Sequence, residues 1–156
     1  MYPAMRFFLR PWFFLLLPLL LTQCGTAGYE KEWNTALVDP QQKSPKDITG
    51  AWIGTWRSEA NGHHGVLRCV ISRENGKADD YRFHYHATYG AMLTVAYGVT
   101  EQVKRAGDHF ILTGDHDLGY LAGGMYHYNG SATVKSMKST YRSPADHGVF
   151  ELARPQ

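Results

Sequence analysis

Tyr81-Arg82-Phe83-His84-Tyr85-His86-Ala87-Thr88-Tyr89 is the stretch that decides the fold. Tyr81, Phe83, Tyr85, Ala87 and Tyr89 recur at every second position. A period of two puts them on one face of an extended strand and leaves the interleaved residues on the other. Aromatic and β-branched residues suit such a half-buried pleated surface. The same texture extends in both directions. Upstream it predicts strands over Thr49–Ser58 and Gly65–Arg73, with Asn61-Gly62 and Asn75-Gly76 as turns. Downstream it predicts Met92–Val103, His109–Asp115, Gly123–Tyr128, Ser131–Tyr141 and Val149–Arg154. Asn129-Gly130 reads as a two-residue hairpin turn between the sixth and seventh of these.

Eight short strands with tight connections pair in sequence order. An open meander of that kind exposes two long edges. Closure into an eight-stranded antiparallel up-and-down barrel removes both, and eight strands make a barrel that side chains fill or that holds one small ligand. A two-sheet sandwich is the alternative, but it needs longer crossing connections than this chain has. The expected fold is therefore all-β, a closed barrel over residues 49–156.

Ahead of the barrel, Glu30–Leu37 places Trp33, Ala36 and Leu37 at helical spacing, and Asp39-Pro40 and Ser44-Pro45 then break the chain. This predicts one short helix laying Trp33 and Leu37 on the domain. Further upstream, Arg6 and Arg10 precede the apolar run Trp12–Leu21. A charged start followed by a short apolar core is the pattern of an export signal. The run is shorter than the roughly 20 apolar residues that span a bilayer. The expected organisation is a signal segment over 1–23, a tether with the short helix over 24–48, and the barrel.

Leu21-Thr22-Gln23-Cys24 resembles the lipobox of bacterial lipoproteins, in which the Cys becomes the lipid-modified first residue of the mature chain. That resemblance implies lipidation at Cys24 and attachment to a membrane. Gly25 in place of Asp implies the outer membrane, facing the periplasm. An ordinary secretory cut near Ala27 is the other reading.

Composition narrows the partners. Arg6 and Arg10 are the only charged residues of the signal segment, so the rest of the chain carries 14 Lys/Arg against 14 Asp/Glu. A balanced domain with scattered basic residues has no electrostatic footprint for nucleic acid. Beyond Cys24 the one cysteine is Cys69, which alternates with Leu67 and Ile71 and reads as a small buried hydrophobe.

Gly50-Ala51-Trp52 and Gly54-Thr55-Trp56 each match the Gly-x-Trp signature that opens the first strand of lipocalins. In that family the Trp closes the barrel floor and an Arg of the last strand stacks on it. The resemblance implies that part for Arg154, which ends the last strand here, and a barrel that binds small hydrophobic molecules. The chain is also similar to bacterial envelope lipoproteins that carry a Trp-x-Gly-x-Trp start and a Gly-His-x-Gly turn, here Trp52–Trp56 and Gly62–Gly65. That group brings no function with it.

The inward face carries the candidate chemistry. Tyr81, Phe83, Tyr85 and Tyr89 share a face of the third strand, Leu93, Val95, Tyr97 and Val99 of the fourth, and Tyr126 and Tyr128 of the sixth. Each buried phenol needs a hydrogen-bond partner. Two readings follow: an amphipathic pocket lined by Trp52, Trp56, Tyr85, Tyr97, Tyr126 and Arg154, or a filled core with hydroxyls at the rim.

His84-x-His86 has the spacing of a metal pair, with His63, His64, His109, His116 or His127 as a third ligand. The two lie opposite Phe83 and Tyr85, so they are expected in solvent, with no metal site. Asp115-His116-Asp117 suggests a carboxylate orienting a base, but neighbours on a strand point opposite ways and no nucleophile motif accompanies them. No phosphate-binding loop or paired carboxylates appear. The expectation is a lipid-anchored protein that binds a small hydrophobic or amphipathic ligand and has no cofactor and no catalysis. Two alternatives stand beside it. One is an assembly lipoprotein with a full core and a protein partner; the other is a metal-dependent enzyme.

Overall fold

A computed structural model describes residues 17–90, 93–120 and 123–156, with side chains from residue 27 onward. Most of the expected signal segment, and the side chain of Cys24, lie outside the described residues. The chain builds α1 (Leu17–Val38), α2 (Pro40–Lys43) and eight strands: β1 (Gly50–Ser58), β2 (His64–Arg73), β3 (Asp80–Tyr89), β4 (Leu93–Ala106), β5 (His109–Asp117), β6 (Met125–Ala132), β7 (Ser136–Arg142) and β8 (His147–Ala153). Each strand pairs antiparallel with its neighbour in sequence, and β8 returns to β1 through Trp56↔Phe150 and Gly54↔Leu152. The result is the expected closed eight-stranded barrel, in which β4 and β5 pair only from Gln102↔Thr113 down to Ala106↔His109.

Alternation sets the core. Trp52 and Trp56 of β1, Leu67, Cys69 and Ile71 of β2, and Tyr81, Phe83 and Tyr85 of β3 all turn inward and are buried. From the far side of the barrel they meet Leu112, Tyr128, Met137, Phe150 and Leu152. One end of the barrel is the floor, where β1 begins and β8 ends. Here the guanidinium carbon of Arg154 lies 4.2 Å from the centre of the Trp52 ring. Arg154 also donates to the carbonyls of Asp47 (2.9 Å), Thr49 (2.7 Å) and Val134 (3.1 Å), while Trp52 Nε1 donates to Ile48 O at 2.8 Å. The other end is the mouth.

Three local expectations are corrected. Asn129-Gly130 is not a turn: both residues lie inside β6, and the reversal falls at residues 133–135. Gly130 is there because β7 comes too close for a side chain. A Cβ at this position would lie 2.6 Å from Lys138 O and 2.7 Å from Ser139 Cα. The helix is longer than Glu30–Leu37, and it docks through Tyr29, Trp33 and Ala36, while Leu37 is exposed. Positions 29, 33 and 36 form one helical stripe; Leu37 falls just beyond it.

The third correction concerns the histidines. They do lie outside the barrel, but α1 covers them instead of solvent. His86 is only 6% exposed. The Tyr29 ring stacks on His86 with centroids 4.8 Å apart and meets His84 edge-on at 5.0 Å. His84 Nδ1 pairs with Glu32 at 2.6 Å, and Arg68 forms a two-pronged ion pair with Glu30 while lying over the rings of Tyr29 and Trp33. An amphipathic helix whose inner stripe is aromatic needs flat partners, and the imidazoles and the guanidinium supply them.

Candidate ligand cavity at the barrel mouth

The upper half of the barrel is hollow. A cavity of about 350 Å³ is bounded by Trp56, Ala87, Tyr89, Val95, Tyr97, Leu118, Tyr126, Tyr128, Tyr141, Asp146 and Phe150. Its size falls within the range of small-molecule sites. The space exists because residues near the mouth give room: Ala87 sits between Tyr85 and Tyr89 on β3, and β4 and β5 do not pair above Gln102↔Thr113.

Five tyrosines and Trp56 make most of the wall. Trp56 Nε1 is held by Thr88 O at 3.0 Å, and its ring meets Tyr89 at 4.3 Å. Tyr126 stacks with Tyr128 at 6.2 Å, and Tyr141 packs on Phe150 at 4.9 Å. Burial pushes the phenols of Tyr89, Tyr97, Tyr128 and Tyr141 upward from their ordinary value, so each remains a neutral hydroxyl. At the rim, Asp146 accepts from Ser58 Oγ at 2.6 Å and from Tyr141 OH at 3.2 Å. The arrangement is an apolar slot whose polar atoms are neutral donors and acceptors, with one carboxyl at its edge.

Of the six residues singled out from sequence as ligand contacts, Trp56, Tyr97 and Tyr126 line this cavity together. Tyr85 lies one layer beneath, packed on Tyr97 at 5.4 Å and on Phe150 at 5.3 Å. Trp52 and Arg154 stand apart from it at the floor. Cys24, expected from sequence to carry lipid, has no described side chain.

Beneath the cavity is a residue the sequence reading passed over. Glu101 on β4 is fully buried inside the barrel. Tyr85 OH donates to its Oε1 at 3.1 Å, and Oε2 finds no partner among the described residues. Burial raises its carboxyl to about 7, against a smaller lowering by the Tyr85 hydrogen bond. Room for it comes from β5, where a Cβ on Gly114 would meet Glu101 Cγ at 2.9 Å. The signal was present: Glu101 has the same parity as Val95, Tyr97 and Val99. Asp146 gave no such signal, because only the folding back of the β7–β8 loop brings it to the mouth.

The remaining candidates do not assemble. Asp115 pairs with His127 at 2.6 Å, while the adjacent His116 turns its Nε2 to the backbone of Thr100, 2.8 Å from N and 2.6 Å from O. Among the described residues no three His, Cys, Asp or Glu side chains converge on a point that suits a metal ion. Cys69 is buried and unpaired, and burial raises its thiol.

Comparison with known protein families, curated proteins and solved structures returns no match for this chain.

Proposed function

We propose that this is a lipid-anchored protein of the bacterial envelope whose barrel binds a small hydrophobic or amphipathic molecule. The observation that carries the reading is the cavity of about 350 Å³ beneath an open mouth. A barrel serving only as a scaffold has no reason to leave that volume unfilled by its own side chains, since the apolar lining then forgoes packing contacts. The lower half is filled by Trp52, Phe83, Tyr85 and Leu112, so the ligand occupies only the mouth half. The walls favour an apolar or aromatic body, and the phenols with Asp146 offer hydrogen bonds to an uncharged head. The lipocalin resemblance at Trp52 and Arg154 agrees with this use of the fold, and the lipobox-like Leu21–Cys24 supports the anchor.

Native mass spectrometry of the protein purified from its own membrane tests the ligand, with an adduct expected that is lost on unfolding. Metabolic labelling with a fatty acid tests the anchor, with label expected on the parent and absent from Cys24→Ser. Bare protein mass under gentle conditions, combined with no label, would sink both halves of the reading.

A further inference from the structure

The direction of α1 relates the anchor to the cavity. Along α1 the chain passes Tyr29, stacked on His86, and then Glu32, paired with His84. It reaches the floor at Gln42, whose Nε2 donates to Ala51 O and whose Oε1 accepts from Ala51 N and Arg154. β3 runs the opposite way, from Asp80 beside the floor to Tyr89 at the mouth. The N-terminal end of α1 therefore points toward the mouth. At 1.5 Å per residue, Cys24 lies roughly 7–8 Å further along the helix than Tyr29. The climb of β3 from His86 to Tyr89 is about 10 Å. The residue proposed to carry lipid thus leaves the barrel level with its opening.

The floor is charged, and the mouth carries Arg57, Glu59, Arg142 and Asp146 on its β1–β2 and β7–β8 side and Asp117 at the top of β5. The floor gathers Lys46, Asp47, Arg73, Asp79 and Arg105 around one shallow depression. On the mouth side, the sequence has no Asp, Glu, Lys or Arg between Thr88 and Thr100, nor between Leu118 and Gly130. Those two stretches put Tyr89, Leu93, Val95, Tyr120 and Met125 in the open, with Leu93 59% and Tyr120 96% exposed. All five sit at the top of β3 to β6 or in the β5–β6 connection, so they form one arc of the rim. An apolar patch of this kind marks an interaction surface.

We infer that this arc docks on a phospholipid bilayer, so that the cavity opens onto the acyl layer. The inference rests on the anchor and ligand reading above and deepens it by naming the surface and the source of the ligand. A lipid chain attached at Cys24 would hold this end of the barrel against the membrane. Tyr and Leu at a rim suit the headgroup boundary, where an amphipathic ring keeps its hydroxyl wet and buries its body. The charged floor then faces water.

The test uses the full chain in vesicles of phosphatidylethanolamine and phosphatidylglycerol containing a tritiated phospholipid. A photoreactive benzoylphenylalanine replaces Leu93, Tyr120 or Met125 on the arc, or Lys77 on the floor, and circular dichroism confirms each barrel. Tritium is expected on the three arc variants after irradiation and at background on the Lys77 variant. Equal labelling at all four positions, or arc crosslinks to protein instead of lipid, would overturn the inference. The Met125 variant is repeated with Ala87→Trp, which sets an indole inside the cavity where a methyl group stood. Labelling that persists while an added fluorescent fatty acid no longer binds shows docking apart from ligand uptake. Labelling that disappears with cavity binding means the crosslinked lipid was only the ligand; docking is then overturned and the ligand reading stands.

Discussion

Tyr85 of β3 donates its hydroxyl to Glu101 of the neighbouring strand β4 inside the barrel, 3.1 Å away, and this is the one hydrogen bond that the Glu101 carboxyl makes among the described residues. The pair sits between the filled lower half and the hollow upper half. A buried carboxyl with a free oxygen is costly when charged, so it keeps its proton to about pH 7.

This links stability to pH. Below the ordinary carboxyl value of 4.5, Glu101 is protonated in both folded and unfolded chains, and its contribution is fully present. Between 4.5 and about 7 only the folded chain keeps the proton, so stability falls as pH rises. Above that window the loss levels off at about 3 kcal/mol. Urea melts of Glu101→Gln should lack this decline and exceed the parent at pH 8 by about 1–3 kcal/mol. Parallel pH profiles for the two proteins would show that the carboxyl is not protonated in the folded state.

At the floor, Trp52→Ala should cost about 3–5 kcal/mol, the usual loss for a large buried side chain. Arg154→Ala should cost about 2–4 kcal/mol, because three backbone carbonyls lose a charged donor at once. Arg154→Lys should recover little, since an ammonium cannot lie flat on the indole and reach three carbonyls. Denaturant midpoints decide each case; a Lys variant as stable as the parent would mean that charge alone closes the floor.

On the outer face, His84→Ala with His86→Ala should loosen α1 while the barrel stays folded. The substitutions remove the Glu32 partner and the ring under Tyr29, worth about 1–2 kcal/mol together. Limited proteolysis should cut the double variant between Glu30 and Lys43 several times faster than the parent, with unchanged far-ultraviolet dichroism from the strands. Equal cutting rates would place the docking energy in Trp33 and Ala36 alone.

In the cavity, an environment-sensitive fatty-acid probe should bind saturably. Burying roughly 200–300 Å² of apolar ligand surface at about 25 cal/mol per Å² supplies on the order of 5–8 kcal/mol. Lost freedom of motion takes back several, which leaves a roughly millimolar to micromolar Kd. Ala87→Trp should abolish the signal by setting an indole inside the space, and Tyr97→Trp or Trp56→Ala should alter it by reshaping the wall. A folded protein that gives no saturable signal up to probe solubility would favour the scaffold reading.

Strand period and turn residues made the barrel legible: Tyr81–Tyr89 alternates so strictly that its inward face is settled by local geometry, and short connections leave few ways to pair eight strands. Trp56, Tyr97 and Tyr126 could be placed inside for the same reason. The mistakes came where a residue type has two uses. Gly130 looks like a turn glycine, yet it serves a close approach between β6 and β7, and only the register tells the two apart. His84 and His86 were correctly put on the outer face, but alternation cannot say what covers that face.

What the sequence determined by itself is everything that depends on neighbours along the chain: an all-β domain, its inward residues, and an apolar run over Trp12–Leu21. What only the tertiary structure decided depends on residues far apart in sequence. Closing β8 onto β1 brings Arg154 to Trp52, docking α1 buries the histidines, and the β7–β8 loop carries Asp146 to the mouth. Whether the interior is full or hollow belongs to the same class. It turns on how side chains from eight strands meet at one level of the barrel, a sum over non-local contacts that no periodicity along a single strand records.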